Sequence, residues 1–321
     1  MAMVGLNGAQ SIAENFRRFA RLEAAGRSAT YEALAMAVAE DRDLLALLHR
    51  LPIGKRQPNL LFAAARHVVG DIPDLGALRA LATSRADELA AVMLERRTQT
   101  NEPGRCATLL PAMAMFRGPL AIIEVGASAG LCLNISQYSY DYGMRRIAGA
   151  DPEAPTMHCS VLGGTPKLAM PDVTWAAGID LNPLDPAKPA DRSWLECLVW
   201  PDQPERAARL SAALDTAVRF PVPVYPGDLI EQLPGVLEQA PPDATPLVFH
   251  SAVLGYVDGA VRAQFADLMH ALDVIWVANE APGIVVNADP PTYDTTPFVL
   301  TVNGERVAYT HPHGDWIDWT A

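Results

Sequence analysis

Cysteine is scarce in this chain and widely spread. Cys106, Cys132, Cys159 and Cys197 are four in 321 residues, and no two form a C-x-x-C pair. Such spacing argues against a structural zinc site and against a disulfide scaffold. Reduced thiols in a cytoplasmic protein are the expectation. Positive charge is also short: 25 Lys and Arg stand against 37 Asp and Glu, a net charge of −12. An acidic surface repels a phosphate backbone, and the basic clusters (Arg17-Arg18, Arg96-Arg97, Arg145-Arg146) are too short to form a patch, so no nucleic-acid partner is expected. No apolar run is long enough to span a bilayer, and "MAMVGLNGAQSIAENFRRFA" lacks the basic start and apolar core of a secretory leader. No membrane partner is therefore expected. Internal repeats and low-complexity tracts are missing as well. Half the residues are hydrophobic, as in a folded globular chain.

Up to residue 117 the patterning is helical. Ser11 and Glu14 have capping-box spacing, followed by Ile12, Phe16, Phe19 and Leu22 on one face. Thr30 is placed to cap a second helix, "NLLFAAARHVV" reads as another, and "SRADELAAVMLERR" reads as a helix capped by Ser84. From residue 118 short apolar runs alternate with helical segments. The runs are 120–124, 173–180, 222–225, 246–250 and 274–279; the helical candidates are 130–138, 204–218, 228–239 and 259–272. This alternation predicts a parallel sheet covered on both faces. Near the end, Asn303-Gly304 between "FVLTV" and "ERVAY" is a strong hairpin signal. Residues 139–172 read as an irregular insertion with possible short strands.

The stretch "LAIIEVGASAG" (120–130) carries the functional question. Gly126-Ala127-Ser128-Ala129-Gly130 has the form of a G-x-S-x-G nucleophile elbow, with Ser128 as nucleophile of a serine hydrolase. The order Ser…Asp…His can be completed by Asp289 or Asp294 and by His311 or His313. Against it, everything upstream reads as helix, so no earlier strand supplies half of an oxyanion hole. The same stretch can also be a cofactor loop after the first strand of a doubly wound sheet. A dinucleotide fingerprint is not met, since Ser128 and Leu131 stand where G-x-G-x-x-G needs glycine.

What remains, E-x-G-x-S-x-G, resembles the first motif of class I S-adenosylmethionine-dependent methyltransferases. The resemblance implies a Rossmann-like, mostly parallel sheet and S-adenosylmethionine as cofactor. A helix beginning near Ala129 would offer N–H groups to the cofactor carboxylate, and small residues at Gly126, Ala127 and Ser128 would let the backbone approach. Glu124 would hold the loop or meet the ammonium. It further implies a ribose-binding acid at Asp180, which ends "VTWAAGID", and an acid near the adenine amine at Asp228. His250-Ser251, ending "PLVFH" and opening the next turn, would lie beside the transferable methyl. Asp180 lies farther from the glycine loop than the roughly 20 residues usual for a ribose acid, and Asp151, nearer that spacing, is the fallback. More widely, "QTNEPGRCATLLPA", "EVGASAGLCLN", "GIDLNPLD", "WLECLVWPDQ" and "VFHSAVLGYV" resemble the bacterial domain-of-unknown-function family 2332, which implies a methyltransferase-like domain and leaves the substrate open.

Each residue also has a plainer reading. Gly126, Ser128 and Gly130 can form a bare turn, and Asp180 and Asp228 can be helix caps. His250 has the right chemistry for a proton acceptor, with Glu280 as a second candidate base. Asn101, Glu102 and Arg105, in the connector entering the first strand, can cross the cofactor mouth or be solvated. Tyr138, Tyr140 and Tyr142 can wall an acceptor pocket or pack the insertion. His311, His313 and Asp315 invite a metal, but no further ligand set accompanies them, and none is expected. The expected architecture is therefore a helical N-terminal region, 1–117, covering the pocket, followed by an α/β Rossmann-like domain, 118–321, whose mostly parallel sheet ends in an antiparallel hairpin. The expected activity is methyl transfer to an unidentified small molecule. A serine hydrolase and a non-catalytic binding protein of methyltransferase-like fold are the alternatives, and the oligomeric state is left open.

Overall fold

The computed structural model describes residues 8–99 and 101–321. The first seven residues of the expected helical region, which also open the segment read for a leader, lie outside them. The helices are α1 (Gly8–Phe19), α2 (Ala29–Val38), α3 (Arg42–Arg50), α4 (Pro58–Val69), α5 (Leu75–Ser84), α6 (Ala86–Glu95), α7 (Cys106–Met113), α8 (Pro189–Leu198), α9 (Pro204–Arg219), α10 (Leu229–Leu237) and α11 (Gly259–Ala271). The chain divides into two compact units. One holds residues up to Thr100 with Lys188–Ala208; the other holds Asn101–Ala187 with Arg209–Ala321.

The first unit is helical. Phe16, Tyr31, Phe62 and Trp194 are fully buried in it, with Leu44, Leu47 and Leu48 from one face of α3. The helix starts differ from the sequence expectation in three places. Ser28, not Thr30, caps α2, its hydroxyl accepting from the Tyr31 N–H at 3.1 Å; Thr30 instead binds Asp202. Ser84 ends α5 rather than starting α6, because its hydroxyl donates back to the Ala80 carbonyl at 2.6 Å. Ser11 lies inside α1, which already runs from Gly8, and not ahead of the helix. Asp41 and Asp74 cap α3 and α5 by accepting from N–H groups of the first turn.

The second unit is built on strands β1 (Leu120–Val125), β2 (Ser139–Asp141), β3 (Arg146–Ile147), β4 (Thr156–His158), β5 (Ser160–Gly163), β6 (Val173–Asp180), β7 (Val224–Pro226), β8 (Thr245–Ser251), β9 (Ile275–Glu280), β10 (Phe298–Val302), β11 (Glu305–Thr310) and β12 (Trp316–Trp319). Nine form one sheet in the order β7-β6-β1-β8-β9-β10-β11-β12-β5, and β3-β2-β4 form a small second sheet. The run β7-β6-β1-β8-β9 is wholly parallel. From β9 to β12 the pairing is antiparallel, and β5 joins β12 in parallel at the edge. Every residue of β1 is buried, as befits a central strand covered on both faces. The β10–β11 hairpin turns at Asn303-Gly304, with φ of 52° and 81°, the left-handed pair a two-residue turn needs.

The insertion 139–172 supplies β2 to β5. The helix expected over 130–138 is not formed; a single 3-10 turn, Leu131–Asn134, stands there. The cause is local. Gly130 enters in the left-handed region at φ 68°. The Tyr138 and Tyr140 hydroxyls then donate to the carbonyls of Leu131 (2.7 Å) and Ile135 (2.5 Å), taking acceptors a continuing helix would use. The segment 189–198, not singled out as a helix in the sequence, forms α8.

Candidate functional site

The order of the parallel strands reverses at β1: the chain runs from β1 through β6 to β7 on one side, and through β8 to β9 on the other. Open α/β sheets place ligands in the crevice beyond the carboxyl ends of the strands at such a switch point. There the chain puts the loop 126–130.

That loop is held in an unusual backbone shape. Gly126, Ser128 and Gly130 all have positive φ, 72°, 52° and 68°. For Ser128 this is a conformation that a side chain disfavours. Gly126 is required by space as well, since a Cβ there would lie 2.4 Å from Cγ2 of Val253. The Gly126 and Ala127 N–H groups donate to the Ile179 carbonyl, and that of Gly130 donates to Ala127. The Ser128 N–H donates to Oδ2 of Asp180 at 2.8 Å. Asn101 Nδ2 donates to the Ala127 carbonyl at 2.8 Å. These four N–H groups are therefore spent inside the protein, and no helix starts at Ala129. The expected helix-terminus site for a carboxylate is not built.

Asp180 acts first on this loop. Its Oδ1 accepts from the Asn182 N–H at 2.7 Å while Oδ2 holds Ser128. Asp151, the fallback acid, is bound to Arg219 and to the Glu153 N–H; its hydrogen bond with Arg219 lowers its carboxyl pKa. Asp228 is the N-cap of α10, accepting from the Ile230 N–H at 2.8 Å.

Two polar atoms at the end of β1 stand apart. Glu124 and Ser128 are only 7% and 4% exposed, yet Oε2 of Glu124 and Oγ of Ser128 have no hydrogen-bond partner. Buried polar atoms are normally paired, and an orphan asks for an explanation. Burial, above all, pushes the Glu124 carboxyl well above its ordinary value; Cys132 and Asp180 add to the rise and Arg105 opposes it. Arg105 itself is buried, donating through Nε to the Pro312 carbonyl (2.9 Å) and through Nη1 to the Ser251 carbonyl (3.1 Å). Asn101 and Arg105 thus tie the connector to the loops after β1 and β8.

Side chains alternate along a strand. His250 and Glu280 lie on the sheet face packed by α10 and α11, where His250 meets Phe265 and Trp276. Glu124, next to Ile123 and Val125 of that core, points to the other face. Nδ1 of His250 is 2.7 Å from Oε1 of Glu280, and the Trp276 indole N–H donates to Nε2 of His250 at 3.0 Å. An indole N–H only donates, so Nε2 is the acceptor and Nδ1 carries the proton given to Glu280. The same Glu280 oxygen accepts from the N–H groups of Val253 and Leu254. Burial would raise Glu280, but the hydrogen bonds from His250, Val253 and Leu254 outweigh it and hold the carboxyl below its ordinary value. In this arrangement the imidazole has no nitrogen left to take a proton from a substrate. His250 and Glu280 instead fix the loop 251–254 that presses Val253 onto Gly126.

Ser251 is bound by Asn279 Nδ2 at 3.1 Å, and Asn279 Oδ1 accepts from Thr310 at 2.7 Å. Val253, Trp276 and Asn279 were not legible as site residues, because each acts through a partner on another strand or loop. The Tyr138, Tyr140 and Tyr142 rings are buried, their hydroxyls on backbone carbonyls, and pack the insertion. His311 Nδ1 lies 3.0 Å from Asp315. Among the described residues no cluster of three His, Cys, Asp or Glu could hold a metal ion, and no helix is long and apolar enough to cross a membrane.

Residues 13–319 match the model of a family described as an uncharacterized protein conserved in bacteria, DUF2332. The chain belongs to this family. The match takes in the glycine loop, the connector and every strand of both sheets, so what has been described is DUF2332 architecture. No curated protein matches the chain.

Proposed function

We propose that this DUF2332 chain is an S-adenosylmethionine-dependent methyltransferase acting on a small molecule. One observation carries the reading: two buried polar atoms without hydrogen-bond partners, Glu124 Oε2 in the first strand and Ser128 Oγ in the loop after it, lie where the sheet reverses its strand order. The adjoining parallel strands run third-second-first-fourth-fifth in chain order, an order that suits a cofactor site at this place. A carboxyl and a hydroxyl suit the amino-acid end of the cofactor. Asp180, at the end of the neighbouring strand, carries a carboxylate, the chemistry that accepts from ribose hydroxyls. Asn101, Arg105, Ala127 and Ser251 shape the site through backbone contacts, and Asp228 caps the helix beside it. When bound, the cofactor supplies an electrophilic methyl on a sulfonium, so the protein's task is to orient an acceptor and exclude water.

Calorimetric titration with S-adenosylhomocysteine tests this reading. Binding by the wild type, weakened at least tenfold in Asp180→Ala, is expected. No binding at millimolar concentration overturns it and favours a non-catalytic protein of related fold. The left-handed backbone of Ser128 also suits a nucleophile elbow. That second reading needs a base on Oγ, which has no hydrogen-bond partner. Labelling by a fluorophosphonate that disappears in Ser128→Ala would establish it.

A further inference from the structure

Glu124 is a buried acid whose Oε2 has no hydrogen-bond partner. Among the described residues, the groups that face it come from four segments. Arg105 lies in the connector, Cys132 in the turn after the glycine loop, Asp180 at the end of β6, and Tyr138 ahead of β2. Only Arg105 is cationic, and its guanidinium is turned to the Pro312 and Ser251 carbonyls. Asp180 is of the wrong sign. The Cys132 thiol reaches the Glu102 carbonyl at 3.7 Å. A carboxylate buried here with one oxygen unpaired would be strongly disfavoured, and a neutral carboxyl is the form that such a place tolerates.

We infer that the buried, unpartnered Oε2 of Glu124 marks a site that trades a proton for a cation: Glu124 is a carboxylic acid in the ligand-free protein and becomes a carboxylate when a primary alkylammonium is seated against it. The O–H bond of the acid breaks, its proton passes to the buffer, and the ammonium keeps its three protons and donates to the freed carboxylate. The Ser128 hydroxyl, already buried and held by its strained backbone, supplies a second acceptor. The inference rests on the methyltransferase reading, in which the ammonium is that of the cofactor's amino-acid end, and it goes further by coupling that recognition to pH.

The test is titration of the whole chain with S-adenosylhomocysteine at about pH 7 in buffers of different ionisation enthalpy, where the slope of observed heat against that enthalpy counts protons. Release of close to one proton is expected. 5′-Methylthioadenosine, which lacks the amino-acid end, should release none, and Glu124→Gln should release none with either ligand. Affinity for S-adenosylhomocysteine should strengthen up to about tenfold per pH unit over the range in which free Glu124 is protonated. That pH series uses the wild type alone and stands if Glu124→Gln fails to fold. Binding without proton release, or with release unchanged in Glu124→Gln, overturns the inference and leaves the cofactor reading standing. No binding by the wild type overturns both.

Discussion

The Trp276 indole N–H donates to Nε2 of His250 at 3.0 Å, across two adjacent parallel strands. This one contact fixes the tautomer of a fully buried imidazole and directs its remaining proton to Glu280. A residue whose chemistry suits a general base is thereby made a strut. The chain of bonds ends on the N–H groups of Val253 and Leu254, so it sets the loop facing Gly126.

Removing the strut should therefore cost stability before it costs chemistry. His250→Ala leaves Glu280 buried without one of its donors and opens a cavity, at a cost of about 3 kcal/mol in unfolding free energy. Trp276→Phe leaves one acceptor unsatisfied and should cost about 1–3 kcal/mol. Urea denaturation measures both. Wild-type stability in the His250 variant would show that the bonds contribute nothing.

Glu280 should make the protein acid-labile. Its folded pKa lies below the unfolded one, so its stabilising contribution is present above the unfolded value, about 4.3, and is lost as pH falls through the folded value. Glu280→Gln should be less stable than the wild type at neutral pH, and that gap should narrow below about pH 4. Thermal unfolding across pH 3 to 7 measures it, and a constant gap would contradict the assignment.

Glu124 should behave in the opposite sense. Its folded pKa is raised, so between about pH 4.3 and the folded value the unfolded chain has lost a proton that the folded chain keeps, and stability falls as pH rises. Glu124→Gln, which mimics the neutral acid, should melt higher than the wild type at neutral pH, with the advantage vanishing below about pH 4. A variant less stable than the wild type at neutral pH would count against a protonated acid.

Gly126→Ala puts a methyl 2.4 Å from Val253 Cγ2 and forces a left-handed alanine. The backbone alone costs about 1–2 kcal/mol, and the loop must shift. We expect loss of S-adenosylhomocysteine binding, partly restored in Gly126→Ala with Val253→Ala, since that pair removes the clash and not the backbone cost. No restoration would locate the fault in φ alone.

The hairpin at Asn303-Gly304 and the five apolar runs that became β1, β6, β7, β8 and β9 were legible in the sequence, because turn chemistry and apolar periodicity act over a few neighbouring residues. The acid and glycines after β1 were legible for the same reason. The segment 130–138 was not. Its composition permits a helix, but hydroxyls of tyrosines farther along bind the carbonyls of Leu131 and Ile135. Nor could any local pattern show that His250 is sealed by Trp276, that Val253 fills the space above Gly126, or that Arg105 donates to the Pro312 and Ser251 carbonyls. Sequence by itself determined which residues could form strands, turns and a candidate loop. Tertiary structure decided which polar atoms are spent and which are left over, because hydrogen-bond partners and burial are set by residues far apart in the chain.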